Sequence, residues 1–201
     1  MKTIYLVRHC EYANPDNIYP GRLPLPLSEV GKKRAIKLHE YFLDKNISKI
    51  YSSSVIRCKE TAAAISQGLI PVEYDVRLVE TLSAYQGYKV TGDLGGDEIW
   101  KEYHSHRKEL GGEGYMDIYN RAVPFFQEVA AKDEGDIIIS SHDDVLYTIY
   151  GFCINLPLPQ SYDEEFQLMY THPVSPKGSI RPIIIESDNS FKAQELAVFE
   201  V

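Results

Sequence analysis

The chain has 201 residues, of which 44% are hydrophobic and 25% charged, and it carries a net charge of -8. That length can bury the core of one domain, and the composition excludes a fibrous repeat or a disordered tract. The acid excess excludes nucleic acid and an anionic membrane surface as main partners, so any basic site must be local.

The first element expected is a short, nearly all-apolar strand over residues 3–7, of the kind buried on both faces of a parallel sheet. Residues 11–27 hold Asn14, Pro15, Asp16, Asn17, Pro20, Gly21, Pro24 and Pro26, a density of turn-formers that predicts a loop. Ser28 should cap a helix in which Ala35, Leu38 and Phe42 recur at helical spacing. A second strand is expected over 48–54, then a helix over 55–67 that Gly68 ends, and a third strand within 72–79. Residues 80–96 read as glycine-rich and irregular, and 97–110 as helical. Tyr119, Ala122, Val123, Phe126, Val129 and Ala130 give the next helix its buried face, with Pro124 expected to kink or restart it. "DIIISSH" predicts a strand over 136–142, residues 143–153 a short helix, and "SIRPIIIES" with "FKAQELAVF" a closing hairpin. Strands alternating with helices define an α/β sandwich.

Cys10, Cys58 and Cys153 form no C-x-x-C pair, which speaks against a disulfide framework or a zinc knuckle and fits a reducing cytoplasm. The apolar stretch near the amino terminus is too short for a signal-peptide core, and no segment reaches membrane-spanning length. A cysteine-phosphatase reading fails because no arginine stands six positions after any cysteine. His104 and His106 in "HSH" face apart on a helix and read as surface residues, so no metal site is expected.

In open α/β sheets ligands bind beyond the carboxyl ends of the strands, where His9 and His142 both stand. Arg57 opens the helix after the second strand, and Glu80 follows the third. A histidine nitrogen can take up a phosphoryl group covalently, and Arg8, Arg57 and a second histidine would neutralise its oxygens without a metal. Glu80 could protonate the leaving oxygen and then activate water, a task that suits a carboxyl with a raised pKa; Glu73, Glu113 and Asp143 compete for that role.

"LVRHCEY", "PLSEVGKKRA", "SSSVIRCKETA", "RLVET", "GEGYMDIYNRA" and "IIISSHDDVL" resemble, in order, six elements of the histidine phosphatase superfamily, which includes the phosphoglycerate mutases. The resemblance runs from residue 4 to about residue 150. It implies His9 as nucleophile, Glu80 as proton donor and Arg8, Arg57, His9 and His142 as phosphate ligands, with no cofactor. Asn14 and Arg22 lie in the loop that the family uses near substrate, and Tyr85 belongs with Tyr88, Trp100 and Tyr103 to an aromatic group expected to serve as lid, packing and leaving-group contacts.

Cys10 and Asp143 stand where the family has glycine, Tyr12 where it has a small hydroxyl residue, Pro24 where it has an acid and Gly114 where it has serine. Cys10 challenges a backbone geometry that glycine favours, and Cys10 itself reads as a small semi-buried side chain. Asp143 is expected to cap the helix it opens, to point away from the pocket and to weaken phosphate affinity.

The expected fold is thus one α/β domain over residues 1–201, a three-layer sandwich with a mostly parallel central sheet, helices on both faces and one antiparallel edge strand. Residues 80–114 form its variable lid and substrate region. The expected function is metal-independent hydrolysis of a small phosphorylated metabolite in the cytoplasm, with no nucleic acid or membrane partner. The alternatives are a mutase and a catalytically impaired phospholigand-binding protein. Substrate identity and oligomeric state are open.

Overall fold

The computed structural model describes residues 2–89 and 97–201, and for 97–100 the backbone alone. Six strands form one sheet in the order β3-β2-β4-β1-β5-β6. They are β1 (Lys2–Arg8), β2 (Ile47–Ser52), β3 (Val72–Tyr74), β4 (Asp136–Ser141), β5 (Ile180–Ile185) and β6 (Phe191–Ala193). The first four run parallel to one another, and β5 runs against both β1 and the three-residue β6 that lies outside it. The sheet is mostly parallel with helices on both faces, as expected.

Side-chain alternation divides the core. Tyr5, Val7, Ile50 and Ile138 face α1 (Glu29–Phe42) and α2 (Ile56–Ser66), where Leu38, Phe42, Ala62 and Ile65 meet them. Ile4, Leu6, Ile137 and Ile139 face α4 (Tyr115–Lys132) and α5 (Asp143–Cys153). β4 is central, covered on both faces, and accordingly reads as an unbroken isoleucine run. Ile138 is fully buried, so truncation to alanine there would cost about 2–5 kcal/mol.

Local signals behave as physical chemistry requires. The Ser28 hydroxyl accepts the Gly31 amide at 3.1 Å and caps α1. A side chain at Gly31 would collide with the Glu11 carbonyl, so glycine there lets α1 pack against the loop that follows β1. α2 ends on Gln67 and Gly68, both left-handed. α4 runs through Pro124 without restarting. Sequence reasoning omitted α6 (Tyr162–Tyr170), although "SYDE" carries a cap: Ser161 accepts the Glu164 amide and Glu164 the Gln160 amide. Between β3 and α4 lie a 3₁₀ turn (Val76–Leu78) and α3 (Asp97–His106). Residues 90–96 of the stretch read as irregular lie outside the described residues.

Candidate active site

Four parallel strands deliver their carboxyl ends to one place. His9 follows β1 and His142 follows its neighbour β4, with the His9 amide bonded to the Ser141 carbonyl at 3.0 Å. Arg57 stands in the first turn of α2 after β2, and Glu80 comes two residues after the 3₁₀ turn that follows β3.

Arg57 is the hub. Its side chain is fully buried, and Nε donates to His9 Nε2 at 3.1 Å. Nη2 donates to the Gly21 carbonyl at 2.8 Å and to Glu80 Oε2 at 3.1 Å, and lies 3.0 Å from His142 Nδ1. The two histidine rings are 5.2 Å apart, centre to centre.

The partners define the tautomers. His9 Nδ1 lies 2.8 Å from the Cys10 carbonyl, which can only accept, so Nδ1 carries the proton and Nε2 presents a lone pair. Burial, then His142 and Arg57, hold the His9 pKa well below 6.5, so the ring is neutral. For His142, the Ser53 hydroxyl lies 2.9 Å from Nε2, while Nδ1 faces Glu80 at 3.2 Å as well as the donor-only Arg57 Nη2 at 3.0 Å. Burial lowers the His142 pKa while Glu80 opposes it.

Glu80 differs from expectation. Burial by itself would raise its carboxyl pKa, but His142, Arg57 and His9 outweigh burial and hold it below the ordinary carboxylate range. These neighbours hold it as a carboxylate.

Arg8 is not brought into this cluster. Alternation along β1 turns it, with Leu6, toward α5, where Nη1 contacts the Ser175 carbonyl and lies 3.4 Å from Asp143 Oδ1. Its buried Nε has no hydrogen-bond partner among the described residues. Arg8, Arg181, Tyr147 and Tyr150 line a separate cavity of about 140 Å³ on that face.

Asp143 points away from the pocket as expected, but it does not cap α5: its carboxylate takes the Ser175 amide at 3.0 Å, His172 Nε2 at 3.3 Å and Arg8. No side chain caps that helix, so its first amides keep their capacity for an anion. Asn14 holds a turn through both Ile18 backbone groups. Arg22 does approach the site: it donates to the Glu80 carbonyl at 2.7 Å and to Glu113 at 2.9 Å, and Arg121 clamps Glu113 from the other side. Tyr85 packs on Tyr103 at 4.7 Å and Tyr88 at 6.1 Å, while the Trp100 side chain lies outside the described residues.

Cys10 is fully buried, not semi-buried, and burial pushes its thiol up to about 12. It avoids the left-handed region, so no glycine is needed there. His104 is also buried, among Tyr162, Phe166 and Tyr170, against the surface reading, whereas His106 is exposed. Sequence reasoning missed Ser53, Asp144, His172 and Lys177. The Asp144 carboxyl is raised to about 6 by burial and by Glu80, and accepts the Thr81 hydroxyl at 2.7 Å.

Among the described residues, ligand atoms of His9, Glu80 and His142 lie within 4.8 Å of one another, as do those of Asp143, Asp144 and His172. The first group does not fit a divalent cation, because the permanently charged Arg57 guanidinium touches all three side chains.

The fold and this histidine-arginine-glutamate arrangement define a class that comparison makes specific. The model of the histidine phosphatase superfamily, branch 1, matches residues 4–174, and the chain belongs to that superfamily of phosphatases. It is 29% identical to phosphoserine phosphatase 1 of Hydrogenobacter thermophilus over 79% of both chains. It is 25% identical to glucosyl-3-phosphoglycerate phosphatase of Mycolicibacterium vanbaalenii over 79% of this chain and 76% of the other. The solved structure of Bacillus stearothermophilus YhfR superposes with a TM-score of 0.78 at 26% identity, covering 96% of this chain and 95% of that one. No helix among the described residues is long and apolar enough to cross a membrane.

Proposed function

We propose that the chain hydrolyses a small phosphomonoester through a phosphohistidine on His9. One observation carries this reading: a buried neutral imidazole whose Nε2 lone pair faces Arg57 Nε at 3.1 Å while Nδ1–H is fixed on a carbonyl. Nε2 attacks phosphorus, the P–O bond breaks, and the leaving oxygen takes a proton from Glu80. Water then attacks phosphorus, passing a proton to the Glu80 carboxylate; the P–N bond breaks with its electron pair returning to Nε2, and inorganic phosphate leaves. Arg57 and His142 hold the phosphoryl oxygens, with the uncapped α5 amides as further donors.

Glu80 must be protonated for the first step, although Arg57 and the two histidines hold it as a carboxylate. An arriving phosphate dianion resolves this: it draws Arg57 and His142 onto its own oxygens and adds negative charge beside Glu80, both of which raise the carboxyl pKa. Relatives named as phosphoserine and glucosyl-3-phosphoglycerate phosphatases support a small phosphorylated metabolite as substrate. Three buried free cysteines support a reducing cytoplasmic setting.

Acid-quenched incubation with substrate labelled at phosphorus should trap label on the wild type and none on His9→Ala. Trapping on both, or turnover by His9→Ala, overturns the mechanism. Return of label to the organic product would favour the mutase alternative, and binding without turnover the impaired one.

A further inference from the structure

The segment just before β5 brings a cation to the pocket that neither the motifs nor the mechanism uses. Ser179 donates to the Pro176 carbonyl at 3.1 Å and Gly178 is left-handed at φ +70°, which makes 176–179 a tight turn with Lys177 at its tip. The turn is tied to the nucleophile strand. The Gly178 amide bonds to the Arg8 carbonyl at 3.2 Å and the His9 carbonyl at 3.1 Å, and the Arg8 amide bonds to the Ser179 carbonyl at 3.1 Å. A side chain at Gly178 would strike Arg34 and press on Cys10, so only glycine lets the turn sit this close to them.

Lys177 is half-buried, yet its ammonium has no hydrogen-bond or ion-pair partner among the described residues. Its Nζ stands 5.5 Å from the centre of the Tyr12 ring, the same ring that lies 5.3 Å from Arg57 Cζ and 5.7 Å from the His9 ring. A lysine resting on an aromatic ring is commonplace at a surface. Here the surroundings have the wrong sign for that reading to suffice: burial, Arg8 and Arg57 lower the pKa of Lys177, with Glu11 and Asp143 opposing them only in part. An unpaired cation in a partly dry, cation-rich corner is a place for an anion. Arg57 and His142 already serve the phosphoryl group, whereas Lys177 stands against the Tyr12 ring beside them and is bonded to neither.

Resting on the phosphomonoesterase reading, we propose that Lys177 is a specificity-determining residue that binds a second anionic group of the substrate, a carboxylate or a second phosphate a few bonds from the reacting phosphorus. Tyr12, in place of a small residue, supplies the apolar floor between the two anions.

Matched ligands test this without depending on turnover. Phosphoserine and phosphoethanolamine differ by one carboxylate, and glucose 1,6-bisphosphate and glucose 6-phosphate by one phosphate. Dissociation constants measured calorimetrically on His9→Ala, with and without Lys177→Gln, give the preference within each pair. Lys177→Gln should reduce that preference about tenfold in at least one pair, which identifies the anion, and Lys177→Arg should restore most of it. Equal weakening of both members, no change in either preference, or no binding of any of the four overturns the proposal. If the preference collapses while the wild type hydrolyses none of them, the binding assignment stands and the phosphatase reading fails.

Discussion

Replacing Asp143 by glycine should make the protein less stable and bind phosphate more tightly at once. The carboxylate holds the Ser175 amide at 3.0 Å, His172 at 3.3 Å and Arg8 at 3.4 Å, with the Arg8 and Asp143 side chains 13% and 11% exposed. Removing one partner of so shielded a pair costs about 3–5 kcal/mol. Arg8 retains the Ser175 carbonyl, so the low end applies, about 3 kcal/mol or roughly 6–12 °C in Tm for a chain of this size. The same change frees a guanidinium one residue from His9, opposite Ser141 in the sheet register. A new charge-assisted hydrogen bond to phosphate contributes about 1.5–3 kcal/mol, a gain of roughly tenfold to a hundredfold in affinity. Calorimetric titration with inorganic phosphate and a thermal melt read the two effects separately. Asp143→Asn, which keeps the acceptor for the Ser175 amide but loses the charge, should fall between. A glycine variant that melts lower yet binds phosphate no more tightly would show that Arg8 stays out of the pocket when released. One that melts where the wild type does would show that the pair contributes nothing.

Two further tests bear on the titrating groups. Glu80→Gln should cut turnover of alkyl phosphates by about 10²–10⁴ and spare p-nitrophenyl phosphate at the first step, because that leaving group departs without a proton; equal losses on both substrates would deny Glu80 the acid role. For His172, burial disfavours the charged ring, but the Asp143 hydrogen bond and the Asp144 and Asp143 charges outweigh it and raise its pKa above 6.5. The folded state therefore binds this proton more tightly than the unfolded one, and the stabilisation is complete below pH 6.5 and lost as pH rises through the raised value. The difference in unfolding free energy between wild type and His172→Gln should shrink from pH 6 to pH 9. A difference that does not vary with pH would place His172 outside that linkage.

The sequence by itself determined the layers and the location of the chemistry. Apolar runs such as "TIYLV" and "DIII" read as strands buried on both faces, and the residues that follow them, His9 and His142, then stand at the carboxyl ends where ligands bind. Ser28, Gly68 and the prolines of residues 11–27 act within a few residues of themselves, so their effects were legible. Partnerships across the chain were not. Asp143 looked like a cap for its own helix, and its choice of the Ser175 amide and Arg8 instead depends on a segment some thirty residues later folding back against β1. Glu80 looked like a carboxyl with a raised pKa, and it is held low because Arg57 and His142 arrive from two other strands. His104 reads as a surface residue until α6 supplies the aromatic rings that bury it. Lys177 is one lysine among many until the turn at 176–179 is bonded to the end of β1 at Arg8 and His9. Hydrophobic period and turn chemistry are local properties that a sequence displays directly, whereas charge pairing and burial depend on distances that exist only after the strands have been brought together.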